Sequence, residues 1–210
     1  MLLYLIRHGQ SLFNAEKRIQ GQTDIALSPF GEKQSLALAA AFRGLPIDAV
    51  YASPLRRAMQ TAAPIADVLK LEIRTDDRLK EINAGIFEGV GWDEIESHSP
   101  EAAARWQAQE PDFVIPGGES RRALGVRGRA ALMDIFEAGH RQAVVVAHGG
   151  VLGAALKSLL GIQIDNSPFS FYNASISKLV WDRRIKLITL NQVDHLRAAG
   201  LEVLDATGDL

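Results

Sequence analysis

Leu2-Leu3-Tyr4-Leu5-Ile6-Arg7-His8-Gly9-Gln10-Ser11 decides how the chain is read. Five apolar residues, too few to span a membrane, run directly into an arginine, a histidine and a glycine. This is how a buried parallel strand delivers polar side chains to its C-terminal end, the edge where open α/β sheets place their sites. Arg7 can fork onto phosphate oxygens, His8 can attack as a neutral imidazole, and Gly9 lets the backbone turn close to a ligand. A second stretch repeats the pattern: Ala143-Val144-Val145-Val146-Ala147 ends in His148-Gly149-Gly150. If the two strands are parallel neighbours, both histidines leave the sheet at one edge, side by side. One histidine after a strand is most often structural; two, each followed by glycine, point to a shared site.

Between and beyond these strands the punctuation is regular. Ser28-Pro29 predicts a helix start, with the helix running through Phe42 and stopping near Gly44. Asp48–Ser53 reads as a second short buried strand, and Pro54 opens a helix over about 55–69 with a kink at Pro64. Ile73 fits a short edge strand, whereas 10–25 and 76–91 read as irregular. Helical patterns cover 91–109, with a restart at Ser99-Pro100, then 119–137 and 151–160. Strands over 175–181 and 185–189 flank a hairpin turn at Asp182-Arg183-Arg184, and the tail from His195 is expected to be loosely ordered. Strands alternating with helices predict an α/β fold, a three-layer α/β/α sandwich on a mostly parallel central sheet. No stretch looks like a linker, so 1–210 is expected to form a single domain.

Composition removes several function classes. The net charge is −2, without basic runs or basic-aromatic interleaving, which argues against nucleic acids and anionic membranes as partners. The absence of cysteine excludes disulfide and thiolate chemistry. The N-terminus lacks a basic region and a small-residue cleavage site, so the expected location is the cytoplasm. The five histidines show neither His-x-x-x-His nor His-x-His spacing, so no dedicated metal site is expected. Neither a Gly-x-Ser-x-Gly turn nor a Walker loop occurs.

Other residues could join the two histidines. The second strand leads into Ser53-Pro54-Leu55-Arg56-Arg57-Ala58-Met59-Gln60-Thr61. Arginines in the first turn of that helix point back to the same sheet edge, but successive helical residues diverge by about 100°, so Arg56 and Arg57 cannot both face the site. Histidines and arginines converging without an acidic cluster make an anion site, and phosphate fits best. Glu81 lies in Leu79–Gly89, a stretch otherwise glycine-rich and apolar. By spacing alone it reads as a surface residue. Beside bound phosphate, like charge would push it toward the protonated form, which suits a general acid.

These residues resemble the histidine phosphatase superfamily, also called phosphoglycerate-mutase-like. Four motifs stand in the family's order: Arg7-His8-Gly9, Ser-x-Leu-x-Arg-Ala-x-x-Thr as Ser53–Thr61, an acid followed by Gly-x-x-x-Gly as Glu81–Gly89, and His148-Gly149. The resemblance implies that His8 is the nucleophile that becomes a phosphohistidine. It implies that Arg7, Arg57 and His148 hold the phosphoryl oxygens, and that Glu81 is the proton donor and then the base. Because the family's arginine precedes the alanine, Arg57 is the ligand and Arg56 is left on the surface. Asn14, Gln20, Gly21 and Gly149 are implied as contacts to phosphate or substrate. No metal or cofactor is implied.

The family holds phosphatases and mutases. Its mutases carry Arg-x-Tyr-Gly after the acid, where this chain has Ile82-Asn83-Ala84-Gly85. They also carry an arginine pair in a longer insertion, whereas Arg121-Arg122 here falls at the start of the next helix. The expectation is therefore a histidine acid-type phosphatase of the compact branch, with a small phosphomonoester as substrate and a mutase as the alternative. A non-catalytic phospho-ligand binder is disfavoured by the presence of His8, Glu81 and His148. The segment over about 87–116 is expected to form a lid. Its Trp92, Ile95, Trp106 and Phe113, with few cations, favour a neutral or apolar leaving group. A homodimer is the default oligomer.

Overall fold

The computed structural model describes residues 1–163 and 168–203. Strand β1 (Leu2–Arg7) is followed by the short helix α1 (Leu12–Ala15), then α2 (Pro29–Phe42), β2 (Ala49–Ala52), α3 (Arg56–Leu69) and β3 (Ile73–Thr75). Helices α4 (Ile95–His98), α5 (Pro100–Gln107) and α6 (Arg121–Glu137) precede β4 (Gln142–Ala147) and α7 (Gly149–Leu159). The hairpin β5 (Ile176–Asp182) and β6 (Arg184–Gln192) and a last helix α8 (Asp194–Ala198) complete the order. The sheet runs β3-β2-β4-β1-β5-β6, parallel from β3 to β1, with the hairpin antiparallel at one side.

Period-two alternation divides the core. Leu3, Leu5 and Val145 face one side, where they pack with Leu132 and Phe136 of α6 and Leu152 and Leu156 of α7. Tyr4, Ile6 and Val144 face the other, against Leu38 and Phe42 of α2 and Ile65 of α3. The result is the α/β/α layering expected. Among the described residues no helix is long and apolar enough to cross a membrane.

Most boundaries follow from capping. Ser28 Oγ accepts the Gly31 N–H at 3.1 Å ahead of Pro29. Ser120 does the same for α6, accepting from Ala123 at 3.2 Å. Pro64 lies inside α3 without ending it. Two expectations need correction. The stretch 10–25 is not wholly irregular, because Ser11 and Asn14 form a reciprocal capping box that closes the turn of α1. The chain past His195 is not loose as far as residue 203: α8 buries Leu196 completely in the α2-side core, and His195 Nε2 lies 2.9 Å from the Ala174 carbonyl. The remainder of the tail, 204–210, lies outside the described residues.

Candidate active site

Strands β1 and β4 are parallel neighbours in register Arg7↔Ala147, so His8 and His148 leave the sheet together. The His8 N–H donates to the Ala147 carbonyl at 2.9 Å. The two imidazoles stand with ring centroids 5.0 Å apart, tilted by 60°. Gly9 is required by packing, since a Cβ there would stand 2.7 Å from the Gly31 carbonyl oxygen in the first turn of α2.

His8 is fully buried, and its Nδ1 lies 2.7 Å from the Gly9 carbonyl oxygen. A carbonyl can only accept, so Nδ1 carries the proton and Nε2 keeps its lone pair. That Nε2 is buried without a hydrogen-bond partner among the described residues. Burial, then the Arg57 and Arg7 charges, hold the His8 pKa well below the ordinary histidine value. The ring is thus neutral at physiological pH and nucleophilic at one nitrogen.

The cations stand around it. Arg7, the last residue of β1, is fully buried and donates through Nη1 to the Phe171 carbonyl. Arg57, also fully buried, donates through Nε to His148 Nδ1 at 3.2 Å and through its Nη atoms to the carbonyls of Thr23 (2.9 Å) and Gly21 (2.7 Å). Arg56 is exposed, as expected. Because Arg57 Nε can only donate, His148 accepts at Nδ1, and its Nε2–H is directed to Ser53 Oγ, 2.8 Å away. Burial, the Arg57 charge and His8 hold His148 neutral as well.

Two amides complete the pocket edge. The Asn14 Oδ1 accepts from Ser11 N at 3.1 Å, and the Gln20 Oε1 accepts from Ser11 Oγ at 2.6 Å. With the oxygens engaged, Asn14 Nδ2 and Gln20 Nε2 remain buried donors without partners among the described residues. Gly21 acts through its backbone: its carbonyl holds Arg57, and its positive φ of 53° places it where a Cβ would meet the Glu88 carboxylate at 2.3 Å. Gly149 is buried as the first residue of α7.

Glu81 sits beside His148 in the chain's spatial order, at the start of α7. Its carboxylate accepts from Ile82 N (2.8 Å), Gly150 N (2.9 Å) and Val151 N (3.0 Å), and so caps a helix that has no cap of its own. The structure therefore brings His8, Arg7, Arg57, His148 and Glu81 to one sheet edge, with Asn14 on α1 and Gln20 in the loop after it.

Other contributors were less visible in the sequence. Ser53 and Thr61 belong to a motif already singled out, yet their work is spatial: Thr61 Oγ1 accepts from Gly9 N at 3.0 Å while donating to the Arg57 carbonyl at 2.7 Å. Asn173 donates to the His8 carbonyl at 3.1 Å from the segment before β5, which no local pattern marks.

A buried neutral histidine among arginines at the edge of an α/β sheet defines a phosphoryl-binding class of site. The chain belongs to the histidine phosphatase superfamily, branch 1, whose pattern matches residues 3–192. It is 34% identical over 198 residues, 93% of this chain and 97% of its relative, to a Hydrogenobacter thermophilus protein provisionally named a phosphoserine phosphatase. It is 40% identical over 218 residues, 99% of this chain and 92% of its relative, to a Yersinia enterocolitica protein provisionally named phosphoglycerate mutase GpmB. Among solved structures, a mycobacterial glucosyl-3-phosphoglycerate phosphatase superposes with TM-score 0.82 at 32% identity, covering 91% of this chain and 99% of that one.

Proposed function

We propose that this enzyme is a histidine acid-type phosphomonoesterase that transfers the phosphoryl group of a small metabolite to His8 and then to water. The observation that carries the reading is the His8 ring: Nδ1 is fixed on the Gly9 carbonyl, and the Nε2 lone pair is buried without a hydrogen-bond partner among the described residues. Nε2 attacks phosphorus, the phosphorus–oxygen bond to the leaving alcohol breaks, and the alcohol oxygen takes a proton from Glu81. Water then attacks the phosphohistidine, its proton passes to the Glu81 carboxylate, and the phosphorus–nitrogen bond breaks to release phosphate and neutral His8. The three N–H groups on Glu81 suit the carboxylate needed in this second step. Arg7, Arg57 and the amide donors of Asn14 and Gln20 stabilise the phosphoryl oxygens, and the His148 Nε2–H turns from Ser53 to the same group. The segment 87–116 serves as the lid.

A mutase is the second reading, favoured by the 40% identity to the Yersinia relative. One set of assays separates them. Hydrolysis of p-nitrophenyl phosphate without added metal, with acid-labile and base-stable label on quenched wild type but not on His8→Ala, is the expected result. No turnover at any pH would sink the phosphatase reading. Isomerisation of 3-phosphoglycerate stimulated by a bisphosphate would replace it with the mutase.

A further inference from the structure

Glu88 stands near the end of the stretch that begins at Glu81, but its carboxylate is bound to a different part of the site, the turn over 20–23. The Thr23 N–H closes that turn on the Gln20 carbonyl at 3.1 Å, with Gly21 at its first corner in the left-handed region, φ 53°. The turn carries Gln20 at its start. Through the carbonyls of Gly21 and Thr23 it also holds both Nη groups of Arg57. Glu88 Oε1 accepts the Gln22 N–H at 2.7 Å, and Oε2 accepts the Thr23 hydroxyl at 2.7 Å. The Ala84 N–H reaches Oε1 as well, at 3.3 Å, and ties the carboxylate to its own segment. A Cβ on Gly21 would stand 2.3 Å from this carboxylate, so glycine at the corner is what lets the two meet.

One peptide unit joins the two charges. The group between Gly21 and Gln22 donates its N–H to Glu88 and accepts from Arg57 Nη2 at its carbonyl, 2.7 Å on each side. In a trans peptide the N–H and C=O point in opposite directions, so the anion and the cation lie along one dipole and each hydrogen bond polarises the other. Bonds to charged groups are also stronger than neutral ones. The Arg57 guanidinium is fully buried and donates through Nε to His148, so the two loop carbonyls set where its Nη groups stand. Removing Glu88 leaves those carbonyls in place but takes away what fixes the plane of the first. A carboxylate touching the phosphoryl group would repel it, so any gain from Glu88 comes through the turn.

We propose that Glu88 is a positioning residue for phosphoryl binding: its carboxylate fixes the 20–23 turn, and through it the Arg57 guanidinium and the Gln20 amide. The proposal rests on the phosphatase reading for the nature of the bound group, but its first test needs no turnover. Calorimetry with inorganic phosphate should show binding about tenfold weaker to Glu88→Ala than to wild type. Glu88→Gln, which keeps one acceptor oxygen, should lose less. In an Arg57→Lys background, where a cation remains but cannot span both carbonyls, Glu88→Ala should cost less than about threefold. A merely structural role would cost the same in both backgrounds. Where Glu88→Ala fails to fold, Glu88→Gln and Thr23→Val, which removes the hydroxyl bound to Oε2, carry the same comparison. In turnover, Glu88→Gln should lower kcat/KM by one factor on glycerol 3-phosphate and p-nitrophenyl phosphate alike, because both deliver the same phosphoryl group. Unchanged phosphate affinity, equal costs in the two Arg57 backgrounds, or a loss confined to glycerol 3-phosphate overturns the proposal. Failure of the wild type to hydrolyse p-nitrophenyl phosphate, with the phosphate-binding pattern intact, would instead overturn the phosphatase reading and leave the Glu88 assignment standing.

Discussion

Glu81 and Gly150 are joined by a hydrogen bond of 2.9 Å from the Gly150 N–H to the Glu81 carboxylate, and a Cβ on Gly150 would stand 2.4 Å from that same side chain. The glycine is therefore the condition for Glu81 lying at the mouth of α7. Glu81→Gln keeps the shape and removes the transferable proton. It should lower kcat/KM, which reports phosphoryl transfer to His8, about 10²–10⁴-fold on an alkyl monoester such as glycerol 3-phosphate. The loss should be much smaller on p-nitrophenyl phosphate, whose phenolate leaves without a proton. Gly150→Ala should show the same split in milder form. Paired kcat/KM measurements on the two esters decide this, because kcat/KM excludes the water step they share; equal losses on both would remove Glu81 as proton donor to the leaving group.

The two buried histidines set a pH signature for stability. Both are held well below the ordinary value of 6.5, first by burial and then by Arg57. Below pH 6.5 the unfolded chain binds protons at both positions and the folded protein does not. Stability is therefore fully present above pH 6.5 and is lost as pH falls toward the folded-state values. The slope should approach about 1.4 kcal/mol per pH unit for each histidine in that window. Urea unfolding between pH 7 and 5 should show it, and His148→Gln should remove about half. The acid limb of kcat/KM should likewise lie below pH 6.5, because His8 resists protonation.

Helix α8 offers a test of packing away from the chemistry. Leu196 is fully buried against the α2 side of the sheet, among Tyr4, Phe42 and Val193. Leu196→Ala should cost about 2–4 kcal/mol by urea unfolding, while leaving KM for p-nitrophenyl phosphate unchanged. A cost below about 0.5 kcal/mol would mean that the helix is not docked in solution.

What the sequence made legible was whatever physics makes local. The continuous apolar runs of β1 and β4, the Ser-Pro start of α2 and the positive-φ Arg183 turn of the hairpin are all written in adjacent residues. His8, Arg7 and His148 were readable because a parallel strand commits its last residue to one edge. Arg57 could be chosen over Arg56 only through the family resemblance, since helical geometry excluded both facing the site without saying which. The tail from His195 was misread because a five-residue helix has too few positions to show a period, and only the tertiary burial of Leu196 reveals it. Arg121 escaped for a related reason. The segment 87–116 carries few cations, whereas Arg121 reaches the cavity beside Gly149 and Gly150 from the first turn of α6.

The position of Glu81 depends in turn on an ion pair between Arg127 and Glu119, at 2.6 Å between Nη2 and Oε1, with both side chains only about a fifth exposed. Arg127 also donates to the carbonyls of Arg78 (2.8 Å), Lys80 and Glu81 (2.7 Å). Glu119 accepts from the Asn83 N–H at 2.8 Å, and its own N–H returns to the Asn83 carbonyl at 3.0 Å. The pair thus clamps the backbone on both sides of Glu81 without touching the phosphoryl pocket. Arg127→Met strips the donors from three carbonyls and leaves Glu119 unpaired, so it should destabilise the protein by about 2–3 kcal/mol. As a positioning residue it should also lower kcat/KM on glycerol 3-phosphate more than on p-nitrophenyl phosphate. The inhibition constant of inorganic phosphate should stay within about twofold. Glu119→Gln should give a weaker form of the same pattern, and the double variant should lose less than the sum of the two. A rise in the phosphate inhibition constant, with the ratio of the two kcat/KM values unchanged, would place Arg127 in the phosphoryl pocket instead of behind the acid.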